Sequence, residues 1–131
     1  MIVADASALV EALVGEGAAA DAVRGRISSA TQVHAPHLVD LEVASAIRRL
    51  SQADGFPGDL ARTAIGQLAE LPLTRYPHRP FLDRIWELKD TLTAYDACYV
   101  ALAEAVGAPL LTLDTKFARA TGVRCRFEII G

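Results

Sequence analysis

MIVADASALVEALV, residues 1–14, passes from apolar chain through one acid into a helix-like pattern within a few residues. Ile2, Val3 and Ala4 form an unbroken apolar run that Asp5 closes. Ser7 then stands where a helix N-cap is wanted, and Gly15 and Gly17 stop the helix after Val14. A continuous apolar run, rather than apolar–polar alternation, is how a strand reads when helices cover both faces of its sheet. PLLTL, residues 109–113, repeats the arrangement: an apolar run, then Asp114, then a short helix over 115–120. Further strands are expected at 32–35, where Pro36 ends the run, at 71–76 and at 124–130. Helices are expected over 18–29, over 37–53 and, after the DGFPG break at 54–58, as far as Glu70. Pro80 opens another helix running to Asp90, and the apolar stretch 92–105 gives one more, which Gly107 closes. On the helix over 37–53, Val39, Val43, Ala46, Ile47 and Leu50 share one face. Strands alternating with helices predict an α/β fold: a three-layer α/β/α domain with a central, mostly parallel sheet, one domain over residues 1–131.

The bulk numbers fit that reading. A chain of 131 residues, 52% hydrophobic and 22% charged, is long enough to bury a real core. No apolar run approaches the length of a membrane span, and the N-terminal stretch lacks the basic region of a signal peptide, so a cytoplasmic protein without a membrane partner is expected. Cys98 and Cys125 have no CxxC spacing and are expected to be free, buried thiols. A net charge of −3 argues against nucleic-acid binding if the acids are spread over the surface. If several acids gather around metal ions, the local sign reverses. Arginine outnumbers lysine eleven to two, which suits phosphate contacts but carries little weight alone.

Four carboxylates lie within or directly after apolar segments: Asp5, Glu42, Asp96 and Asp114. Asp5 and Asp114 close two expected parallel strands, the edge where open α/β sheets form ligand crevices. Glu42 and Asp96 lie near helix starts that can enter the same crevice. Each also has a plainer reading. Thr93 and Asp96 have the spacing of a capping box, Glu42 can sit on a solvated face, and Asp5 and Asp114 can cap the helices that follow them. Asp40 competes with Glu42: roughly 200° of helical rotation separates them, so only one of the two enters a crevice.

Taken together, four converging carboxylates repel one another unless a cation joins them. An all-oxygen set without a His/Cys cluster suits Mg²⁺ or Mn²⁺ rather than zinc. The chemistry that such a site supports best is phosphodiester hydrolysis, in which metal ions lower the pKa of an attacking water and stabilise the leaving oxygen.

Four motifs, IVADASALV at 2–10, LEVASAI at 41–47, TAYDACYVALAEA at 93–105 and LLTLDTKFA at 110–118, span nearly the full chain. In order and spacing the chain resembles the PIN-domain ribonucleases, specifically the VapC toxins of bacterial toxin–antitoxin pairs. The resemblance implies a PIN-like fold and a metal-dependent endoribonuclease whose four acids are Asp5, Glu42, Asp96 and Asp114, so it selects Glu42 over Asp40. It also implies that Ser7 and Thr112 support the metal shell, although a helix cap and a strand hydroxyl are their plain alternatives. RNA as substrate, often transfer or ribosomal RNA, a VapB-type antitoxin and a homodimer follow from the same resemblance.

Lys116 and Arg119 are read as a solvated helix face, with RNA-backbone contact as the alternative. His34, His37 and His78 show no partner spacing. Tyr95, Tyr99 and Trp86 are read as packing residues. Two other functions compete: a phospho-receiver-like signalling domain, which also collects acids at this strand edge, and a non-catalytic dimerisation module in which the acids are caps.

Overall fold

In the computed structural model, which describes residues 1–131, the sheet has five strands: β1 (Ile2–Ala4), β2 (Val33–Pro36), β3 (Leu73–Tyr76), β4 (Leu110–Thr112) and β5 (Phe127–Ile129). Their order is β3-β2-β1-β4-β5, and every pairing is parallel, so the sheet is wholly rather than mostly parallel. The chain builds outward from β1 through β2 to β3, then crosses to β4 on the other side of β1. That reversal lies between β1 and β4, and a crevice is expected outside their C-terminal ends. β1 and β4 are buried at every residue, which matches their unbroken apolar runs.

Six α-helices connect the strands: α1 (Ala6–Val14), α2 (Ala18–Ser29), α3 (Leu38–Ser51), α4 (Gly58–Glu70), α5 (Leu82–Glu87) and α6 (Ala94–Val106). α1 packs against α2, α3 and α4, whereas α5 packs on α6, and α6 lies on β1, β2 and β4. The two helical groups sandwich the sheet. α6 buries seven consecutive residues, Ala97 to Ala103, so it is apolar around its whole circumference rather than along one stripe. Thr93 caps its start, its side chain accepting from the Asp96 N–H at 3.2 Å, and Gly107 ends it in the left-handed region at φ +71°. No helix is long and apolar enough to cross a membrane.

Several local expectations fail. The N-cap of α1 is Asp5, whose carboxylate accepts from the Ala8 N–H at 3.0 Å; Ser7 lies inside the helix and donates to Asp5 instead. The helix expected over 80–90 breaks into a 3₁₀ turn at Arg79–Phe81, the short α5 and a further turn in which Leu88 and Leu92 are both buried. Core contact there is made by a turn, which apolar spacing does not distinguish from a helix. The last strand shrinks to three residues. On α3, Val39, Val43 and Ile47 are buried, but Ala46 is half-buried and Leu50 is 39% exposed, because the helix end runs past the core. Trp86 and Tyr95, read as packing residues, are 70% and 61% exposed; only Tyr99 is buried. Both cysteines are free thiols, Cys98 buried and Cys125 half-buried.

Candidate active site

Asp5 follows β1 directly, so its carboxylate emerges at the C-terminal edge of the sheet while remaining buried. Its Oδ1 accepts from Ser7 Oγ at 2.6 Å and from the Ala8 N–H, and its Oδ2 accepts from the Thr112 hydroxyl. Thr112 ends β4, beside β1, and its own oxygen accepts from the Asp114 N–H at 2.9 Å. Ser7 Oγ also accepts from the Leu113 N–H at 2.9 Å. Two hydroxyls thus tie the ends of β1 and β4 together and orient Asp5 and the Asp114 backbone at once. Asp114 opens a 3₁₀ turn at Thr115–Arg119, its side chain accepting from the Lys116 N–H at 3.0 Å.

The other two acids come from helices. Asp96 lies in the first turn of α6, where the unsatisfied N–H groups favour a negative charge. Glu42 lies in the second turn of α3, and its Oε1 accepts from the Tyr99 hydroxyl at 2.6 Å. Tyr99 is three residues beyond Asp96, so α6 supplies both an acid and the donor that holds another. Asp40 points elsewhere: Arg75 of β3 grips it with two hydrogen bonds, 2.8 and 3.0 Å. The competition between Asp40 and Glu42 is therefore decided by an arginine 35 residues further along the chain.

Asp5, Glu42, Asp96 and Asp114 all line one cleft of about 710 Å³, with Ser7 and Lys116. Burial raises the pKa of Asp5; its hydrogen bonds from Ser7, Thr112 and Ala8 oppose that rise, and the charge of Asp114 adds to it. Burial likewise raises Glu42, opposed by the Tyr99 hydrogen bond and reinforced by the charges of Asp96 and Asp5. Burial, then the Glu42 hydrogen bond and charge, keep the Tyr99 phenol protonated, so it remains a donor. Burial, with the Glu42 charge behind it, pushes the Cys98 thiol up to about 11, which leaves it inert.

The Lys116 ammonium sits between Asp96 Oδ2 and Asp114 Oδ2, at 2.9 and 3.0 Å. The ammonium is thus paired with two acids of the cleft rather than free on a solvated face, although the side chain stays half-exposed. No three His, Cys, Asp or Glu side chains converge closely enough to hold a metal as they stand. The donor set nevertheless fits a hard divalent cation: it consists of carboxylates, burial and then neighbouring charge disfavour ionisation of Asp5 and Glu42, and an ammonium already bridges Asp96 and Asp114. Tyr99 and Lys116 are the site residues that sequence reading missed. A tyrosine one helical turn from an acid, in an otherwise apolar helix, needs a partner for its hydroxyl, and that was the available signal.

A family model described as PIN domain matches residues 2–123. The chain belongs to the PIN-domain family. Within it, the chain falls among the VapC ribonucleases. It is 43% identical over 129 residues to Ribonuclease VapC1 of Mycobacterium tuberculosis, covering 98% of this chain and 96% of that one. It is 41% identical over 130 residues to VapC ribonuclease Mb0985 of Mycobacterium bovis, covering 99% and 98%. Among solved PIN-like structures, M. tuberculosis VapC20, described as a sarcin-ricin loop cleaving toxin, matches with a TM-score of 0.72 at 16% identity, over 96% of this chain and 99% of that one. VapBC2 from Rickettsia felis, solved with a promoter DNA fragment, matches with a TM-score of 0.71 at 13% identity over the full length of both chains. At those identities the structural matches establish the PIN fold, and the VapC assignment rests on the sequence relatives.

Proposed function

We propose that this PIN domain is a metal-dependent endoribonuclease, the toxin of a toxin–antitoxin pair, with Asp5, Glu42, Asp96 and Asp114 as ligands of Mg²⁺ or Mn²⁺. The observation that carries the reading is the meeting of these four carboxylates in one cleft from two strand ends and two helices. VapC ribonuclease relatives at 43% and 41% identity support RNA as the substrate class. A transfer or ribosomal RNA target, a VapB-type antitoxin, a homodimer and a cytoplasmic location belong to the same reading.

A divalent ion held by Asp5, Glu42, Asp96 and Asp114 would supply Lewis acidity for deprotonating a water and stabilising the leaving oxygen. The chain's residues do the rest. Ser7 and Thr112 hold the Asp5 carboxylate in one orientation, and Thr112 fixes the backbone that presents Asp114. Tyr99 donates to one oxygen of Glu42, leaving the other for a ligand. No protein nucleophile is required. The water oxygen adds to phosphorus, the 3′ oxygen departs and takes a proton, and the products carry a 5′-phosphate and a 3′-hydroxyl.

Purified protein with Mn²⁺ is expected to cleave total RNA, to stop when EDTA is added, and to lose activity in Asp96→Asn. That substitution keeps the backbone N–H that Thr93 caps while removing a charged ligand. Undiminished cleavage by Asp96→Asn would sink the four-acid mechanism.

A further inference from the structure

α3 presents more than Glu42 to the cleft. Glu42, Ser45, Ala46 and Arg49 all line it, and their spacing of three, four and seven residues places them on one stripe of the helix. Arg49 stands two turns beyond Glu42, about 10 Å along the axis. Between them Ser45 and Ala46 are small and leave the floor of the cleft open. Arg49 is exposed and, unlike Arg24, Arg26, Arg75 and Arg84, makes no salt bridge; no side-chain hydrogen bond holds it either. The other cation of the cleft, Lys116, is taken up by Asp96 and Asp114. The cleft therefore has its four converging carboxylates, a fifth acid in Glu11 of α1 and, two helical turns beyond Glu42 on α3, one guanidinium that no acid of the cleft engages. Arg48, its neighbour, is also exposed but does not line the cleft.

We propose that Arg49 is a phosphate-binding subsite that holds the RNA backbone along α3, away from the phosphate being cut. The inference rests on the ribonuclease reading above. A polyanion with regularly repeated phosphates fits this layout, because one phosphate at the acid-bound metal leaves another within reach of the guanidinium. With about 3.4 Å of rise per nucleotide in a stacked strand, and more when extended, Arg49 meets a phosphate one to three nucleotides from the scissile one. A planar guanidinium can grip two phosphate oxygens at once, which fixes the strand's direction as well as its position.

The test compares wild type, Arg49→Ala, Arg49→Lys and Arg48→Ala on total RNA with Mn²⁺, over a range of salt, with Mn²⁺ affinity measured separately by calorimetry. Arg49→Ala is expected to lower kcat/KM about tenfold, mainly through KM, and to reduce the slope of log kcat/KM against log salt by about 1. Arg49→Lys should recover much of the loss, Arg48→Ala should stay within about twofold of wild type, and Mn²⁺ affinity should be unchanged throughout. If Arg49→Ala behaves like Arg48→Ala while wild type cleaves, the subsite is overturned and the ribonuclease reading stands. If wild type shows no metal-dependent cleavage, both fall.

Discussion

Lys116 holds its ammonium where a divalent ion would draw Asp96 and Asp114 together. On the proposed metal-dependent reading, an ion held by Asp96 and Asp114 would displace it, so the chain carries its own competitor. Lys116→Met is expected to bind Mn²⁺ a few-fold more tightly by calorimetry, since each partly exposed ion pair is worth about 1 kcal/mol or less. Equal or weaker affinity would remove the counter-ion role. Thr112 is fully buried and serves two partners, donating to Asp5 and accepting from the Asp114 N–H. Thr112→Val keeps the shape and orphans both groups, at an expected cost of about 1–3 kcal/mol in urea unfolding, with Thr112→Ser restoring most of it. A Thr112→Val protein as stable as wild type would mean that the hydroxyl bridge is not formed. At this scale the sequence named the acids but could not choose between Asp40 and Glu42 from spacing. The choice is made by Arg75, whose approach to Asp40 depends on how β3 docks beside β2.

Among the elements, the legible ones carry their own boundary chemistry. α6 has a Thr cap, a continuous apolar body and a glycine stop, and it forms where the sequence places it. At Gly107 an added Cβ would meet nothing within 4 Å, so only its φ of +71° opposes a side chain. Gly107→Ala is therefore expected to cost about 1 kcal/mol by thermal or urea unfolding, through backbone strain alone. An unchanged midpoint would show that the helix end relaxes out of the left-handed region. α5 is shorter than the helix expected from Pro80 to Asp90, because Leu88 reaches the core from a turn rather than from a continued helix. Trp86 departs from its reading as a packing residue: an aromatic ring supplies apolar surface but does not say that anything covers it, and Trp86 is left at the surface with Lys89 Nζ 5.2 Å from its ring centre.

Over the whole molecule, the sheet order brings together residues that no local pattern links. His34 on β2 is buried against Tyr76 of β3, with Nδ1 2.7 Å from the phenol oxygen and Nε2 without a partner. Burial, helped by the positive N-terminus, lowers its pKa. The unfolded histidine takes up a proton near its ordinary value of about 6.5, whereas the folded one resists. Its contribution is thus intact above that value and is lost as pH falls through it toward the depressed folded pKa. Urea midpoints at pH 7.5 and 5.5 should drop more for wild type than for His34→Gln; equal drops would clear His34 of any such role. By itself the sequence determined the α/β class, the unbroken apolar runs of β1 and β4, the helix that carries Asp96 and a short set of candidate acids in which Asp40 still competed with Glu42, because period, caps and misplaced charges are local signals. Only the tertiary structure decided that β1 and β4 lie side by side, that Thr112 reaches across to Asp5, that Tyr99 holds Glu42 and that Lys116 stands between Asp96 and Asp114. The Thr112 and Tyr99 contacts join residues 107 and 57 positions apart, and such pairings are set by the packing of whole elements rather than by the chemistry of any one segment.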